Sequence, residues 1–231
     1  MAVYDYDIEY NGNTGRSQGV VLSEFPIFEE SKNMFKEHQL SGKIGSLIVL
    51  NGGKNSVRVK CELLAVSSNV HSVFRKLKKW FSKTGKLKFT DNADSYYEVL
   101  AIESIGTERE FLKCGRLSVK FIVYPYEFLN SGNTEYSTIN NNPYCDCMPI
   151  YIVEGSGNCT ITVNGRTFTA NVPSKLTIDT RRMITYKSDG SSGNTLVNGE
   201  YENLWIEEGD VSITCTTGFN LKIIPRWGYW V

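Results

Sequence analysis

The sequence predicts a mainly β protein in two parts, the first of which also contains one helix. Apolar and polar residues alternate along much of the chain, as expected for half-buried strands. Helical spacing of apolar residues is clear in one stretch, near residues 69–81. A polar segment rich in Asn, Ser and Gly, residues 130–143, separates a mixed first part from a second part of short strands and turns.

These patterns predict the domain organisation of the chain. We expect residues 1–130 to form an α+β domain, residues 131–148 a linker, and residues 149–231 a β-sandwich domain. A length of 231 residues is sufficient for two small domains, each with its own core.

In the first part, Asn69 can cap a helix because its side chain accepts hydrogen bonds from the first unpaired amides. Apolar residues then recur on one helical face: Val70, Phe74, Leu77 and Phe81. Gly85 is the expected stop. Strands are expected where apolar residues alternate with polar ones, at residues 57–63, 97–101 and 117–123.

In the second part, Asn164-Gly165 lies between two β-rich runs and predicts a tight hairpin, because both residue types tolerate a positive φ. Further strands are expected at residues 175–178, 183–187, 201–206, 211–216 and 220–224. Short strands separated by turns predict a β-sandwich.

The charge balance argues against binding to nucleic acid or anionic membranes by bulk attraction. Lys plus Arg number 25 and Asp plus Glu number 25, so there is no basic excess. The acidic start, residues 1–7, lacks an export pattern, and no apolar run approaches the roughly 20 residues of a membrane span. We therefore expect synthesis in the cytoplasm of the producing cell and reduced thiols for the six cysteines.

The residues that usually carry catalysis or metal binding form no recognisable motif. The two histidines, His38 and His71, are far apart, and Cys145 and Cys147 lack the second pair of ligands that zinc requires. The other cysteines each stand alone in strand patterns, which predicts small buried side chains: Cys61, Cys114, Cys159 and Cys215. The sequence thus predicts no enzyme, metal or cofactor, although a hydrolase with dispersed carboxylates is an alternative.

An aromatic cluster lies at the end of the chain, with Trp227, Tyr229 and Trp230. Exposed rings stack on apolar sugar faces, so a carbohydrate contact is one interpretation. Packing or a contact with a neighbouring subunit is the other and is favoured, because Trp, Tyr and Arg are enriched in interfaces.

Several segments, in their order along the chain, resemble the distal tail protein family of siphophages. In the first part these are residues 10–12 (YNG), residues 87–99 (LKFTDNADSYYEV) after the helix, and residues 115–126 (GRLSVKFIVYPY). In the second part, residues 157–158, 163–165, 177–179 and 224–227 resemble the galectin-like C-terminal domain of that family.

The resemblance implies an architectural role at the phage tail tip. It implies a hexameric ring closed head to tail through the N-terminal domains. One face of this ring would meet the tail tube protein, and the other would meet the tail-associated or fibre protein. DNA would pass through the ring without specific binding. The galectin-like sandwich would project as a platform for receptor-binding parts or contact host surface polysaccharide itself, and a carbohydrate-binding module is therefore the alternative function.

Overall fold

The computed structural model describes residues 6–29, 33–39 and 44–231. Contacts divide the chain into two compact units. The first unit comprises Met1–Glu127 with Trp230–Val231, and the second unit comprises Phe128–Tyr229. The predicted fold class, mainly β with one helix, is confirmed for the described part of the chain. No helix in that part is both long and apolar enough to cross a membrane.

Up to the unit boundary the chain forms ten strands and one α-helix in the ranges described. The strands are β1 (Ile8–Tyr10), β2 (Asn13–Thr14), β3 (Val20–Leu22), β4 (Ile27–Phe28), β5 (Asn33–Gln39), β6 (Ser46–Lys54), β7 (Val57–Val66), β8 (Gly85–Phe89), β9 (Ser95–Phe111) and β10 (Cys114–Leu129). The main sheet has the order β2-β1-β8-β9-β10-β7-β3, and β4 also pairs with β7. Strands β5 and β6 form a separate two-stranded sheet.

Helix α1 (Val70–Trp80) begins where the sequence predicts. The Asn69 side chain accepts a hydrogen bond from the Ser72 amide at 3.1 Å, which satisfies one of the amides that lack a helical partner. The helix buries Val70, Phe74 and Leu77 in the core of the first unit. Burial of this apolar face supplies most of the stability of a helix this short.

The helix ends at Trp80, so Gly85 does not stop it as predicted but begins β8. A side chain at Gly85 would overlap that of Asn11. The Asn11 carboxamide oxygen accepts a hydrogen bond from the Lys86 backbone amide at 2.9 Å, and the Asn11 backbone amide donates to the Lys86 carbonyl at 3.0 Å. Gly85 is therefore required by this close approach of two strands.

Among the described residues, the second unit contains ten strands, eight of which form the two sheets of a sandwich. They are β11 (Asn141–Asn142), β12 (Ile150–Glu154), β13 (Gly157–Val163), β14 (Arg166–Val172), β15 (Lys175–Asp179), β16 (Ile184–Lys187), β17 (Val197–Asn198), β18 (Gly209–Asp210), β19 (Ile213–Cys215) and β20 (Asn220–Ile224), and β21 (Gly228–Trp230) follows at the end of the chain. Two sheets, with orders β16-β15-β12-β20 and β17-β14-β13-β19, contribute buried side chains to one core. This arrangement confirms the predicted sandwich.

The predicted β13–β14 hairpin is present, with positive φ values of 47° at Asn164 and 82° at Gly165. The strand predicted at residues 201–206 is wrong, because Tyr201–Leu204 forms a 3₁₀ turn. Side-chain hydrogen bonds hold this turn: the Tyr201 hydroxyl lies 2.9 Å from the Thr185 hydroxyl, and the Asn203 carboxamide donates to the Thr167 carbonyl at 3.2 Å. Both partners, Thr185 and Thr167, are distant in sequence, so a local pattern of residues could not predict this turn.

Residues 131–148, predicted as a linker, contribute to the second unit. Ile139 and Cys147 belong to its apolar core. Asn142 is fully buried, and its carboxamide donates to the carbonyls of Cys145 at 3.1 Å and Glu207 at 3.2 Å. The polar residue Asn142 thus forms hydrogen bonds inside the second unit, so this segment is part of its folded structure.

Candidate functional site

Large apolar side chains are exposed mainly on the first unit. Among the described residues, the exposed members of the second unit are Met183, Ile184 and Tyr229. Those of the first unit are Val21, Phe25, Ile27, Phe28, Phe35, Ile44, Leu47, Ile48, Val49, Val66, Leu100, Phe111, Leu112 and Trp230. Contiguous apolar surface on a soluble protein usually marks an interaction site.

Strands β5 and β6 form what we call the apolar hairpin. Its exposed residues include Phe35 at 56%, Leu47 at 50%, Ile48 at 59% and Val49 at 41% of their full surface. Successive side chains of a strand point to opposite faces, so Leu47 and Ile48 show that neither face of the hairpin is covered. A two-stranded hairpin is marginally stable alone in water. By itself the apolar hairpin is therefore marginally stable in water, and a surface that covered it would stabilise it.

A second apolar patch lies at one end of the main sheet of the first unit. Val66 ends β7, and Phe111 and Leu112 lie at the turn between β9 and β10. Their exposed fractions are 71%, 74% and 74%. The Ser67 amide donates to the Lys113 carbonyl at 2.9 Å, which holds the end of β7 against this turn. The three side chains are thereby exposed at the same end of the sheet.

The terminal aromatic residues predicted as a contact site have different environments. Trp227 is only 6% exposed and belongs to the core of the second unit. Its ring packs against Tyr136, with centroids 6.2 Å apart, and against Tyr144 at 5.6 Å. Its carbonyl accepts a hydrogen bond from the Leu129 amide at 2.8 Å. This burial gives Trp227 a packing role and leaves no open ring face for a sugar.

Tyr229 and Trp230 are more accessible, at 45% and 37%. Tyr229 meets the Tyr144 ring edge to face at 5.5 Å within the second unit. Trp230 belongs to the first unit, where it meets Tyr126 at 5.0 Å and the Lys54 ammonium lies 5.2 Å from its ring centroid. A cation over an indole ring is a favourable contact. Both side chains keep exposed area for a further contact.

A buried ion pair that the sequence analysis missed anchors the C-terminal segment within the second unit. The two terminal guanidinium nitrogens of Arg226, Nη1 and Nη2, donate to the Asp179 carboxylate at 2.8 Å each, and Nη1 also donates to the Met148 carbonyl at 3.2 Å. Burial alone would raise the pKa of Asp179, but the hydrogen bonds and positive charge of Arg226 outweigh it and hold that pKa below its usual value. No local signal marks this pair, because its members are 47 residues apart.

In the described part of the chain, the cysteines belong to no group of three or more potential metal ligands. Burial raises the pKa of the Cys147 thiol above its usual range, which disfavours the thiolate that binds metal. Cys159 and Cys215 do not stand alone as predicted. Their sulfurs lie 3.2 Å apart across the neighbouring strands β13 and β19. Burial, together with the Cys215 sulfur, raises the pKa of Cys159 to about 12.

This architecture, a β domain with one helix followed by a β-sandwich, is the fold of phage hub proteins. The crystal structure of the SPP1 Dit (gp 19.1) protein, described as a paradigm of the hub adsorption apparatus in phages that infect Gram-positive bacteria, matches with a TM-score of 0.67 and 9% identity. The match covers 94% of this chain and 97% of that chain. A chain of the phage P2 baseplate in its activated conformation with Ca matches with a TM-score of 0.54 and 8% identity, over 94% and 96% of the two chains. No protein-family model and no curated protein sequence matches this chain.

Proposed function

We propose that this protein is a structural subunit of a phage tail tip, a distal tail hub that joins the tail tube to tail-associated or receptor-binding proteins. The observation that carries the proposal is the likeness to the SPP1 hub protein over nearly the whole of both chains. The likeness to a chain of the P2 baseplate supports the same role. The proposed place of action is the virion tail tip, after synthesis in the host cytoplasm.

We further propose that the first unit assembles a hexameric ring with each copy meeting the next head to tail. Head-to-tail contacts generate a closed ring when the rotation between copies suits closure. The apolar hairpin supports this proposal because both of its faces expose apolar side chains. Burial in a neighbouring copy would remove this surface from water, at about 25 cal/mol for each Å² covered.

The proposed role is architectural and requires no catalytic group or cofactor. DNA would pass through the ring without specific binding, which suits a chain with equal numbers of acidic and basic residues. The second unit would serve as the platform for receptor-binding parts. A hydrolase with dispersed carboxylates is a separate hypothesis for the function of the chain.

The oligomeric state of the purified chain tests the ring. We expect light scattering and electron microscopy at high protein concentration to detect hexameric rings. A variant with Leu47→Ser, Ile48→Ser and Val49→Ser should give monomers, because it removes the apolar surface of β6. Its circular dichroism spectrum should stay close to that of the unaltered chain, since all three side chains are exposed and their replacement leaves each fold core intact.

The matched control is Met183→Ser with Ile184→Ser, which alters exposed apolar residues of the second unit. This control should assemble as the unaltered chain does. Monomers that also bind neither the tail tube protein nor the fibre protein would contradict the proposed function. Rings that persist in the β6 variant would contradict the assignment to the apolar hairpin.

A further inference from the structure

The outer face of one sheet of the second unit has an unusual composition. Strands β13 and β14 turn Cys159, Ile161 and Phe168, among others, towards the core. Their alternate side chains, on the opposite face, are all Thr or Asn: Asn158, Thr160, Thr162, Thr167, Thr169 and Asn171. We call this the Thr/Asn face.

Strand register arranges these side chains in rows. Directly opposite pairs are Asn158 with Asn171, Thr160 with Thr169 and Thr162 with Thr167. Thr214 of β19 and Asn198 of β17 extend two of these rows. Rows two residues apart along a strand are separated by roughly 6.8 Å, and side chains of adjacent strands by roughly 4.8 Å. The result is a regular array of hydroxyl and carboxamide groups.

Much of this array is available to an external ligand. Within the described ranges, the side chains of Thr162, Thr167, Asn171 and Asn198 make no hydrogen bond to another part of the chain. Hydroxyl and carboxamide groups can both donate and accept hydrogen bonds, which matches the hydroxyls of a sugar. None of them carries a charge.

Two adjoining clefts border the face and share Thr169, Val197 and Asn198 as lining residues. Their volumes are about 580 and 420 Å³. The larger one also contains Tyr201, an aromatic ring beside the hydroxyl array, and Glu200 supplies the one charge among its lining residues. Concave sites with a few convergent polar groups and an aromatic ring are typical of small-ligand binding.

The other sheet of the same sandwich has a contrasting outer face. There Glu154 pairs with Lys175 at 3.2 Å, and Lys222 pairs with Glu135 at 3.4 Å. A solvated sheet face ordinarily carries such charges. The outward-facing positions of β13 and β14 carry none. Arg166, the charged residue at the start of β14, belongs to the inward-facing set of alternate positions and pairs with Glu207 at 2.8 Å.

We propose that the Thr/Asn face binds an uncharged polysaccharide, with sugar hydroxyls bonded to the rows of Thr and Asn side chains. The lack of Lys and Arg makes the face unsuited to phosphate-bearing ligands or nucleic acid, which require cationic contacts. This site differs from the terminal aromatic cluster, where Trp227 is buried. It is also independent of the ring, because it lies wholly in the second unit.

Calorimetric titration of the full chain with uncharged hexasaccharides of glucose, galactose, mannose and N-acetylglucosamine tests the proposal. We expect saturable binding of at least one probe and none of an acidic hexasaccharide, oligogalacturonate. The variant with Thr167→Val and Thr169→Val keeps side-chain shape and strand propensity but removes two hydroxyls, and it should weaken binding by about tenfold or more.

The matched control is Thr177→Val, the same change on the outer face of the other sheet. This variant should bind as the unaltered chain does. Failure of all four neutral probes, or equal binding by the Thr167/Thr169 variant, would overturn the proposal. Loss of a tail-protein contact in that variant, with no sugar bound by the unaltered chain, would assign the face to a protein partner instead. Ring formation is measured on the same samples, so the two proposals fail separately.

Discussion

Replacement of Asp179 by Asn tests how strongly the buried ion pair stabilises the second unit. Asn has nearly the same size as Asp but carries no charge. The change leaves the Arg226 guanidinium, whose side chain is 13% exposed, without the two 2.8 Å contacts to a carboxylate. An uncompensated buried charge is strongly destabilising, whereas replacement of a whole pair by apolar residues is often neutral.

The expected loss is about 3 kcal/mol or more in the free energy of unfolding, the lower end for breaking a buried pair. For a unit of roughly 100 residues, each kcal/mol changes the melting temperature by about 4–8 °C. The Asp179→Asn variant should therefore melt at least about 12 °C below the unaltered chain. Circular dichroism at pH 7 measures this directly.

Acid dependence gives a second readout of the same contact. The pKa of Asp179 is lowered in the folded state, so its contribution is present above the unfolded pKa and is lost as the pH falls through the lower, folded value. The stability difference between the two proteins should therefore shrink below about pH 4, near the usual pKa of Asp. The matched control is Glu154→Gln, whose partner Lys175 is 44% exposed, and it should change little.

Two outcomes would refute this reasoning. One is an Asp179→Asn variant that melts within a few degrees of the unaltered chain at pH 7. The other is a stability difference that stays constant down to strongly acidic pH, since it would then come from packing and not from the charge.

Three further predictions concern a glycine, two tryptophans and a pair of cysteines. Gly132→Ala should lower the melting temperature, because a side chain there would overlap the backbone nitrogen of Trp227; differential scanning calorimetry measures the change, and a neutral result would contradict the close approach. Trp227→Ala should cost about 3–5 kcal/mol in urea unfolding, whereas Trp230→Ala should cost clearly less because Trp230 is 37% exposed; equal losses would contradict the burial difference. Dissolved oxygen should oxidise Cys159 and Cys215 to a disulfide by taking two protons and two electrons, slowly at about pH 7 and faster at about pH 9, because burial raises the pKa of the Cys159 thiol and the thiolate is the reactive form; peptide mass spectrometry after air exposure should find this pair linked, and a Cys159→Ser variant should not form it.

Some features of this protein follow from local sequence alone. The cap at Asn69 and the apolar face of α1 lie within a few turns of helix, and the positive φ values at Asn164 and Gly165 suit those two residue types. Alternation along β10 likewise predicts which of its side chains are buried. Each of these features depends on groups only a few residues apart, so the local sequence is sufficient to predict it.

Other features depend on which distant residues the fold brings together. Residues 47–49 are continuously apolar, and only the separate pairing of β5 with β6 shows that they are exposed and not core. The ion pair of Asp179 with Arg226 and the contact of Cys159 with Cys215 join residues 47 and 56 positions apart. The Thr/Asn face likewise requires the register between β13 and β14. Sequence by itself therefore determined the local elements and the class of fold, whereas exposure, charge pairing and cross-strand arrays were decided by tertiary structure, because they depend on contacts that local patterns do not encode.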